Sequence, residues 1–493
     1  MPLPPLPEMH FTFVHEDCVH NQVVALHNRV MGEVPVPTRT GLLRLRRMAR
    51  IIQRSLPHVP QQDLYDMALS YTGAKRRKYM EATDKLLRLG NLGRRDASVK
   101  MFVKCEKIQF TSGKPNPDPR AIQFRDLVFN CAVGQFLKPM EHLLYNLKGN
   151  GANGLPPSRV IGKGLNQGQR ADLLLGKMGR FHRPCVLSLD ASRFDQHVDE
   201  KLLQLEHSFY LHMNGDAQFR RYLSYQLVNR GVSSKGVRYV TRGKRMSGDM
   251  NTALGNCILM VLMVATFMEG RKYDLLDDGD DCLLLIEEDD LVWVNNHIAE
   301  EFLSYGMEIK VEDRVAKTMP AVEWCQGHPI RCPEWRFVRN PFRVMSRALI
   351  GQKLLTGIRG RAALMNTIGL CELVLNRGVP VLQEYCLALI RGSGTKRIVS
   401  LMGAVDDNAA LRVKKELSAL GLKELVDVTP IDVCDQARFD FTEAWGVDIS
   451  TQNAWENELR NWNPNVLGGE IQEFPIDVQQ WLFHDHNPDR VSL

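Results

Sequence analysis

The chain has 493 residues, of which 44% are apolar and 24% charged, and its formal net charge is +6. This composition is ordinary for a folded protein of two or three sub-domains, and it argues against a fibrous or largely disordered chain. Eleven dispersed cysteines without a CxxC pair predict reduced thiols in a cytosolic compartment rather than a disulfide framework or a zinc site. The longest apolar run, residues 257–268, is too short to span a bilayer, and residues 1–9 lack the features of a signal peptide.

Hydrophobic periodicity and turn residues predict the following elements in chain order. An extended lead-in over residues 1–40 precedes helices at 41–56 and 61–95, a strand at 120–128, a helix at 130–148 and a Gly/Pro-rich loop at 149–164. Strands at 184–190, 237–241 and 307–312 alternate with helices at 198–213, 249–268 and 292–304, and a hairpin at 273–286 turns at Asp278-Gly279. Beyond residue 337 the pattern is mostly helical.

Charge is distributed unevenly along the chain. Residues 41–125 contain 19 lysines and arginines against 7 acidic residues, whereas residues 424–493 contain 14 acidic residues against 3 basic ones. Aromatic residues are interleaved in the basic tract, which favours a channel for a nucleic acid because phosphate contacts provide salt-sensitive affinity. A solvated helix face is the alternative. The candidate RNA-binding residues are Lys75, Arg76, Arg77, Lys104 and Lys107.

Acidic residues interrupt apolar sequence at two places, which we call the two acidic stations. Asp190 ends the run CVLSLD, and Asp280 and Asp281 lie in the turn between two apolar runs. A carboxylate at the end of a buried strand is costly unless a cation or another partner offsets it. Two such stations can hold two divalent cations about 4 Å apart, which is the arrangement used for in-line displacement at phosphorus. A solvated acidic turn is the alternative, and Asp195 taken alone could be a helix N-cap.

Several polar residues lie at the start of the apolar helix predicted over 249–268. Ser247 and Gly248 precede it, and Gly248 permits close backbone approach to a ligand. Thr252 and Asn256 are four residues apart and therefore share one helical face. Because buried polar groups need partners, Asn256 is expected to meet either the Asp195 carboxylate or a ribose 2′-hydroxyl. A purely structural hydrogen-bonded pair remains the alternative.

Three short motifs occur in a characteristic order. DASRFD (190–195), SGDMNTALGN (247–256) and GDD (279–281) together resemble the motifs of viral RNA-dependent RNA polymerases. The fuller strings DASRFDQH, RMSGDMNTALGNC and DGDDC resemble the tombusvirus branch in particular. Flanking segments such as YTGAKRRKY, PRAIQFRD and EWCQGHPI are similar to segments of the same enzymes, so that the resemblance covers roughly residues 65–345.

The resemblance implies an α/β (α+β) fold in the form of a right-hand polymerase, with fingers, palm and thumb around an RNA channel. The palm is expected to be an antiparallel sheet flanked by helices. The implied domains are residues 1–60 for the amino-terminal lead and fingertips, 61–183 for the fingers, 184–214 for the first part of the palm, 215–244 for a fingers insertion, 245–335 for the second part of the palm, and 336–493 for the thumb and the acidic carboxy-terminal region.

The resemblance also implies site residues. Asp190, Asp280 and Asp281 would bind two Mg²⁺ ions, with Mn²⁺ as a substitute, and Lys310 matches the lysine proposed to protonate departing pyrophosphate. The residues expected around the incoming nucleotide are Arg120 and Arg125 at the triphosphate and Asp195, Ser247, Gly248, Thr252 and Asn256 around the ribose. Residues 323–326 resemble the primer-grip motif.

The implied activity is template-directed nucleotidyl transfer from NTPs to an RNA 3′-hydroxyl, replicating a positive-strand genome. The implied partners are template RNA, nascent RNA, NTPs and a membrane-anchored viral replication protein, which would bring the enzyme to membrane-associated replication complexes in the host cytoplasm. Two positions depart from the family pattern. Asp278 stands where relatives often carry Asn or another uncharged residue, and Trp324 replaces the usual Phe.

Two rival functions remain open. A reverse transcriptase shares the palm, but it usually carries an aromatic residue at the position of Asp278 and lacks the pairing of Asp195 with Asn256. A non-catalytic RNA-binding replication factor could keep the fold, but the intact acidic stations argue against it. Comparison of NTPs with dNTPs separates the first rival, and primer extension separates the second.

Overall fold

The computed structural model describes residues 4, 6, 12–106, 108–109, 117–311, 315–349, 357–400 and 407–464. The chain divides into two compact units. One comprises Thr12–Asn340 together with Phe439–Gly446, and the other is built mainly from Pro341–Arg438 and the described residues after Val447.

Among the described residues, the strands all lie in the first unit. They are β1 (Thr12–Phe13), β2 (Val99–Val103), β3 (Ile108–Gln109), β4 (Ala121–Arg125), β5 (Pro184–Ala191), β6 (Val228–Ser233), β7 (Arg238–Arg242), β8 (Tyr273–Asp277), β9 (Asp281–Glu287), β10 (Ile309–Val311), β11 (Gly327–Cys332) and β12 (Glu334–Arg339).

Helices make up most of the remaining described chain. In the order of the sequence they are α1 (Val19–Leu26), α2 (Arg39–Gln53), α3 (Leu64–Leu69), α4 (Gly73–Leu89), α5 (Leu127–Tyr145), α6 (Gln167–Met178), α7 (Phe194–His197), α8 (Glu200–Met213), α9 (Ala217–Tyr225), α10 (Thr252–Phe267), α11 (Leu291–Ser304), α12 (Pro341–Arg347), α13 (Ile358–Asn376), α14 (Leu382–Ser393), α15 (Asp407–Ala419), α16 (Asp435–Trp445) and α17 (Ile449–Asn461). Within the second unit, α13 and α14 pack along each other and α17 packs on α14.

The central sheet has the strand order β10-β5-β9-β8 and is antiparallel throughout. The side chains on its two faces pack into two separate hydrophobic cores. Leu284 of β9 belongs to the large core that includes Leu259 of α10, whereas Leu283 and Leu285 pack with Leu174 of α6. Because both faces are covered, β8 and β9 appear in the sequence as continuous apolar runs rather than as alternating patterns.

A second four-stranded sheet has the order β4-β2-β6-β7. The pair β2 and β6 is parallel, and the other two pairs are antiparallel. Between α5 and α6, the Gly/Pro-rich loop predicted over 149–164 contains no helix and no regular strand.

The mixed α/β class predicted from the sequence is confirmed, and so are the strand ending near Asp190 and the hairpin at 273–286. Several boundaries differ. The helix predicted over 61–95 is two helices, because Thr72 has an extended backbone and Gly73 has a positive φ. The strand predicted over 120–128 ends at Arg125, where Asp126 caps α5. The hairpin of β11 and β12 and the strand β6 had no sequence prediction.

Within the described part of the chain, no helix is both long and apolar enough to cross a bilayer.

Candidate active site

The two acidic stations meet at one edge of the central sheet. The antiparallel register makes Asp190 of β5 the direct partner of Asp281 of β9, and Lys310 of β10 the partner of Asp190 on its other side. Directly opposed residues in neighbouring strands project to the same face, with Cβ atoms roughly 4.5–5.5 Å apart. Three charged side chains thus lie in a row across three strands.

The turn between β8 and β9 presents the third carboxylate. The backbone N–H of Asp278 donates to the carbonyl of Asp281 at 2.9 Å, and Gly279 takes a φ of +101°, a conformation that suits glycine. The backbone N–H of Ala191 donates to the carbonyl of Asp280 at 3.3 Å. This bond ties the turn to the end of β5 and leaves the exposed Asp280 side chain beside Asp190.

The electrostatics of the site are those expected where carboxylates are crowded together. Burial, followed by the negative charges of Asp280 and Asp190, raises the pKa of Asp281 to about 6. Like charges held together in this way are stabilised by a cation, and carboxylate oxygens are the donors that Mg²⁺ prefers. The donor set therefore fits a divalent metal. Nowhere in the described chain are three or more His, Cys, Asp or Glu side chains already gathered at metal-binding geometry, so these carboxylates are neighbours rather than a preassembled cage.

The unusual Asp278 is neutralised by two cations. Its Oδ1 lies 2.5 Å from Lys163 Nζ, and its Oδ2 lies 2.7 Å from Arg170 Nη2. Burial opposes ionisation, but Lys163 and Arg170 hold the pKa of Asp278 below its usual value. The extra negative charge expected beside the metal ligands is therefore offset, and the turn is tied to α6 and to the preceding loop.

Trp324 supports the same hairpin. Its indole N–H donates to the carbonyl of Asp281 at 3.1 Å, and the guanidinium of Arg170 lies 4.8 Å from the ring centroid. A Cβ on Gly162 would come within 2.5 Å of the indole, so this glycine makes room for the ring. The bulkier aromatic residue at this position is thus part of the packing that holds Asp281.

Asp195 and Asn256 meet, as one of the two sequence interpretations predicted. Asn256 Nδ2 donates to Asp195 Oδ1 at 3.0 Å. Burial raises the pKa of Asp195 and the hydrogen bond from Asn256 lowers it, with smaller contributions from the charges of Asp280 and Arg120. A Cβ on Gly279 would lie 3.7 Å from Asn256 Cβ. We call Asp195 and Asn256 the sugar-reading pair after the role that the resemblance implies for them, and this pair lies next to the acidic turn.

The expected ribose-site residues Ser247, Gly248 and Thr252 all form hydrogen bonds within the protein. Ser247 Oγ accepts from the backbone N–H of Gln123 at 3.0 Å, and the Gly248 N–H donates to the carbonyl of the same residue at 2.6 Å. A Cβ on Gly248 would lie 2.6 Å from Phe124 Cβ, so the close approach that this glycine permits is to β4. Thr252 Oγ1 donates to the carbonyl of Met246 at 2.6 Å. Ser247 and Gly248 thus join the loop before α10 to the second sheet, and Thr252 closes the loop on itself.

A family model described as viral RNA dependent RNA polymerase matches residues 6–466. The chain belongs to this family. The match is wider than the segment 65–345 that carries the motifs, since it includes most of the amino-terminal lead and much of the acidic end. The resemblance to the tombusvirus branch is likewise confirmed by relatives at about one-third identity.

Three of these relatives are each named RNA-directed RNA polymerase. That of Groundnut rosette virus (strain MC1) is 32% identical over 457 residues, covering 90% of this chain and 52% of the relative. That of Turnip crinkle virus is 32% identical over 468 residues, covering 92% and 57%. That of Tomato bushy stunt virus (strain Cherry) is 31% identical over 474 residues, covering 93% and 55%. This chain of the viral polymerase family thus spans about half the length of the relatives it matches.

Arg125 was expected at the triphosphate, and the structure corrects this. The side chain is 1% exposed, and its guanidinium is fully used inside this polymerase-family fold. Nε donates to Asp249 Oδ1 at 2.7 Å, and the remaining nitrogens donate to the Ala97 carbonyl and to Asn229 Oδ1. The residue braces the second sheet against the loop before α10. Arg120, by contrast, is exposed, and its Nη1 lies 3.3 Å from Glu106 Oε1.

The basic residues of α4 differ in their surroundings. Lys75 Nζ lies 4.6 Å from the centroid of the Tyr71 ring, and Arg76 donates to the carbonyls of Tyr71 and Leu69. Arg77 is exposed on the same turn. Elsewhere in the tract, Lys104 Nζ lies 2.5 Å from Glu106 Oε1, and Lys107 lies outside the described residues. All three side chains are exposed, but Arg76 is also partly structural because it bonds to two carbonyls, and Lys75 lies over the Tyr71 and Tyr79 rings.

Sequence reasoning missed the residues behind the sugar-reading pair. Arg245 Nε donates to Asn256 Oδ1 at 2.9 Å, and Arg245 Nη2 lies 2.5 Å from Glu206 Oε2. Both charged side chains are almost completely buried. The available signal was a glutamate on the buried face of the amphipathic helix 198–213, since a charge at such a position requires a partner.

Proposed function

We propose that this chain is an RNA-directed RNA polymerase that replicates a positive-strand viral genome. The observation that carries the proposal is the register that sets Asp190 opposite Asp281, with Asp280 in the turn bonded to Ala191. These residues lie in the strings DASRFD and GDD, which resemble motifs of the family to which the chain belongs. The relatives named RNA-directed RNA polymerase support the same activity.

We propose a right-hand arrangement for the chain. The central sheet with α10 and α6 on its faces would form the palm, in two parts at 184–214 and 245–335. The fingers would comprise residues 61–183 with an insertion at 215–244, and the sheet β4-β2-β6-β7, which joins strands from both segments, supports this assignment. The lead and fingertips at 1–60 would precede them. The helical segment from 336 onward would be the thumb, followed by the acidic end.

The reaction joins the RNA 3′-oxygen to the α-phosphorus of an NTP, breaks the bond from that phosphorus to the bridging oxygen, and releases pyrophosphate. Asp190, Asp280 and Asp281 would hold two Mg²⁺ ions, or Mn²⁺ in their place, which when bound lower the pKa of the 3′-hydroxyl and stabilise the leaving pyrophosphate. Lys310 would give a proton from Nζ to the pyrophosphate. Its position directly opposite Asp190 in the register supports this role.

The protein's remaining contribution is to position the nucleotide. Arg120 is exposed immediately before β4, which supports a role at the triphosphate. Asp195 and Asn256 would read the ribose 2′-hydroxyl. Ser247 and Gly248, which attach the loop before α10 to β4, and Thr252, which bonds within that loop, would act through the loop rather than by direct contact. Arg125 is not part of this proposal.

The partners follow from the activity. Template and nascent RNA would run along the basic tract, where Lys75 and Arg77 are exposed. We further propose that a membrane-anchored viral replication protein recruits the chain to membrane-associated replication complexes in the host cytoplasm. Flotation of the chain with membranes only when that partner is co-expressed tests this part.

The experiment for the activity is synthesis by purified protein on a primed RNA template with Mg²⁺. RNA product that requires the template and NTPs is the expected result. Product formed from dNTPs as readily as from NTPs would favour a reverse transcriptase. RNA binding without any synthesis would favour a non-catalytic replication factor.

A further inference from the structure

A buried ion pair lies directly behind the sugar-reading pair. Arg245 and Glu206 are 2% and 0% exposed, and Arg245 Nη2 lies 2.5 Å from Glu206 Oε2. We propose that this ion pair sets the sugar selectivity of the polymerase by fixing the direction of the Asn256 amide. The inference rests on the function proposed above and adds two positioning residues that do not contact the nucleotide themselves.

The polarity of the hydrogen bonds carries the inference. Arg245 Nε donates to Asn256 Oδ1 at 2.9 Å, and Asn256 Nδ2 donates to Asp195 Oδ1 at 3.0 Å. A guanidinium has only donors, so the amide oxygen must face Arg245 and the amide nitrogen must face Asp195. If the amide were reversed, its NH2 group would face the donors of the Arg245 guanidinium, and its oxygen would face the Asp195 carboxylate. Asp195 is thereby held as an acceptor through Oδ1, which would leave Oδ2 to accept from a 2′-hydroxyl.

The backbone reinforces the same geometry. The N–H of Arg245 donates to the carbonyl of Asp195 at 2.8 Å. Arg245 therefore holds the short helix α7, which carries Asp195, through its main chain and orients Asn256 through its side chain. Displacing the guanidinium would disturb both members of the sugar-reading pair.

Glu206 is itself fixed by neutral donors. Its Oε1 accepts from the Tyr210 hydroxyl at 2.7 Å and from Asn251 Nδ2 at 2.6 Å. Asn251 Oδ1 in turn accepts from Gln226 Nε2 at 2.9 Å. A buried charge with several hydrogen-bonded partners has little freedom to move, so the guanidinium that it holds is fixed as well.

Gly255 provides the space that the ion pair occupies. It lies inside α10, immediately before Asn256, where a glycine costs helix stability relative to alanine. A Cβ at this position would lie 2.3 Å from Glu206 Oε1 and 2.7 Å from Arg245 Nη2. Gly255→Ala would therefore displace the pair without removing any polar group.

The test measures kcat/KM for GTP and for dGTP on one primed RNA template with the full chain. Arg245→Gln offers Asn256 either a donor or an acceptor, so the amide direction is no longer fixed. The GTP-to-dGTP ratio should fall at least about tenfold, mostly through lost GTP efficiency, because a hydroxyl-reading site loses its preference when its partners are misaligned. Arg245→Lys, which can only donate, should retain more of the ratio than Arg245→Gln.

Lys177→Gln is the matched control. It removes one partner of another completely buried ion pair, Lys177 with Asp274, on the far side of β8. This variant should lose thermal stability and keep the GTP-to-dGTP ratio. If Arg245→Gln cannot be purified in folded form, Gly255→Ala gives the same test and should lower the ratio.

Two results would overturn the inference. One is an unchanged ratio in Arg245→Gln or Gly255→Ala, with both substrates losing efficiency by the same factor, since the ion pair would then be purely structural. The other is an unchanged ratio in Asp195→Ala, which would remove the sugar-reading pair on which the inference depends. Absence of any synthesis by the unaltered chain is a separate outcome, and it would contradict the proposed function itself.

Discussion

Asp281 lies directly opposite Asp190 in the neighbouring antiparallel strand. Like charges at directly opposed positions destabilise a sheet. The protein therefore accepts a local cost at this edge, and the raised pKa of Asp281, about 6, has burial as its first cause and the neighbouring carboxylates as its second. A divalent cation bound here would remove that cost, so we expect stability and metal binding to be linked at these residues.

The first prediction concerns this linkage. Asp281→Asn should leave the melting temperature in EDTA unchanged or slightly higher, because it removes one of the crowded charges. It should also reduce the rise in melting temperature that Mg²⁺ produces in the unaltered chain. Thermal melts with and without Mg²⁺ make the comparison, and Asp172→Asn, an exposed carboxylate of α6, is the control. An undiminished Mg²⁺ effect in Asp281→Asn would mean that the ions bind elsewhere.

The second prediction concerns the cations that neutralise Asp278. Asp278→Asn keeps the shape of the side chain but leaves Lys163 and Arg170 without their shared carboxylate. The variant should be less stable, and a double-mutant cycle with Lys163→Gln should give a coupling energy of roughly 0.5–3 kcal/mol. Lys163 is about one-third exposed, so the value should lie toward the lower end. Additive effects of the two substitutions would show that the contact contributes nothing.

The third prediction separates Arg125 from Arg120. Arg125→Gln leaves Asp249 buried without its cation, and breaking such a pair costs roughly 3–5 kcal/mol. The melting temperature should drop sharply. Arg120→Ala should leave the melting temperature unchanged and raise the KM for NTPs about tenfold, as expected for the loss of a charged contact. Equal losses of stability in the two variants would contradict this division of roles.

The fourth prediction concerns the basic turn of α4. Lys75→Ala and Arg77→Ala should each weaken RNA binding without regard to sequence. Each should also lower the magnitude of the salt dependence by up to about 0.7 for single-stranded RNA. Arg76→Ala should have a smaller effect on the salt dependence and a larger one on thermal stability, because its guanidinium donates to two backbone carbonyls.

Titration of RNA binding against salt concentration gives the slopes, and Arg88→Ala in the last turn of the same helix is the control. Unchanged slopes for both Lys75→Ala and Arg77→Ala would mean that this turn is a solvated helix face, which was the alternative left open by the sequence.

The central sheet and its acidic edge could be predicted because their signals are local. Apolar runs broken by Asp190 and by Asp280 with Asp281 identify strand ends, and the Gly279 turn forces the two runs of the hairpin together. Once β5 and β9 are paired, the register follows from the facing apolar positions, since a one-residue slip would move every side chain to the other face.

The partners of the buried arginines could not be predicted in this way. Arg125 bonds to Ala97, Asn229 and Asp249, which come from three separate segments. A basic residue in a basic tract looks like a phosphate contact until the strands around it are known. Local periodicity gives no information on such long-range polar pairs, and the pairing of Arg245 with a glutamate of α8 escaped prediction for the same reason.

The most direct test of the account is RNA synthesis by Asp280→Asn compared with the unaltered chain, on one primed template with Mg²⁺. The substitution nearly preserves side-chain shape and leaves the backbone bond from Ala191 intact. Removing a charged metal ligand should lower the rate roughly a thousandfold or more, with RNA affinity unchanged because binding depends on the basic tract. A rate near that of the unaltered chain would contradict the assignment of this acidic edge as the catalytic centre.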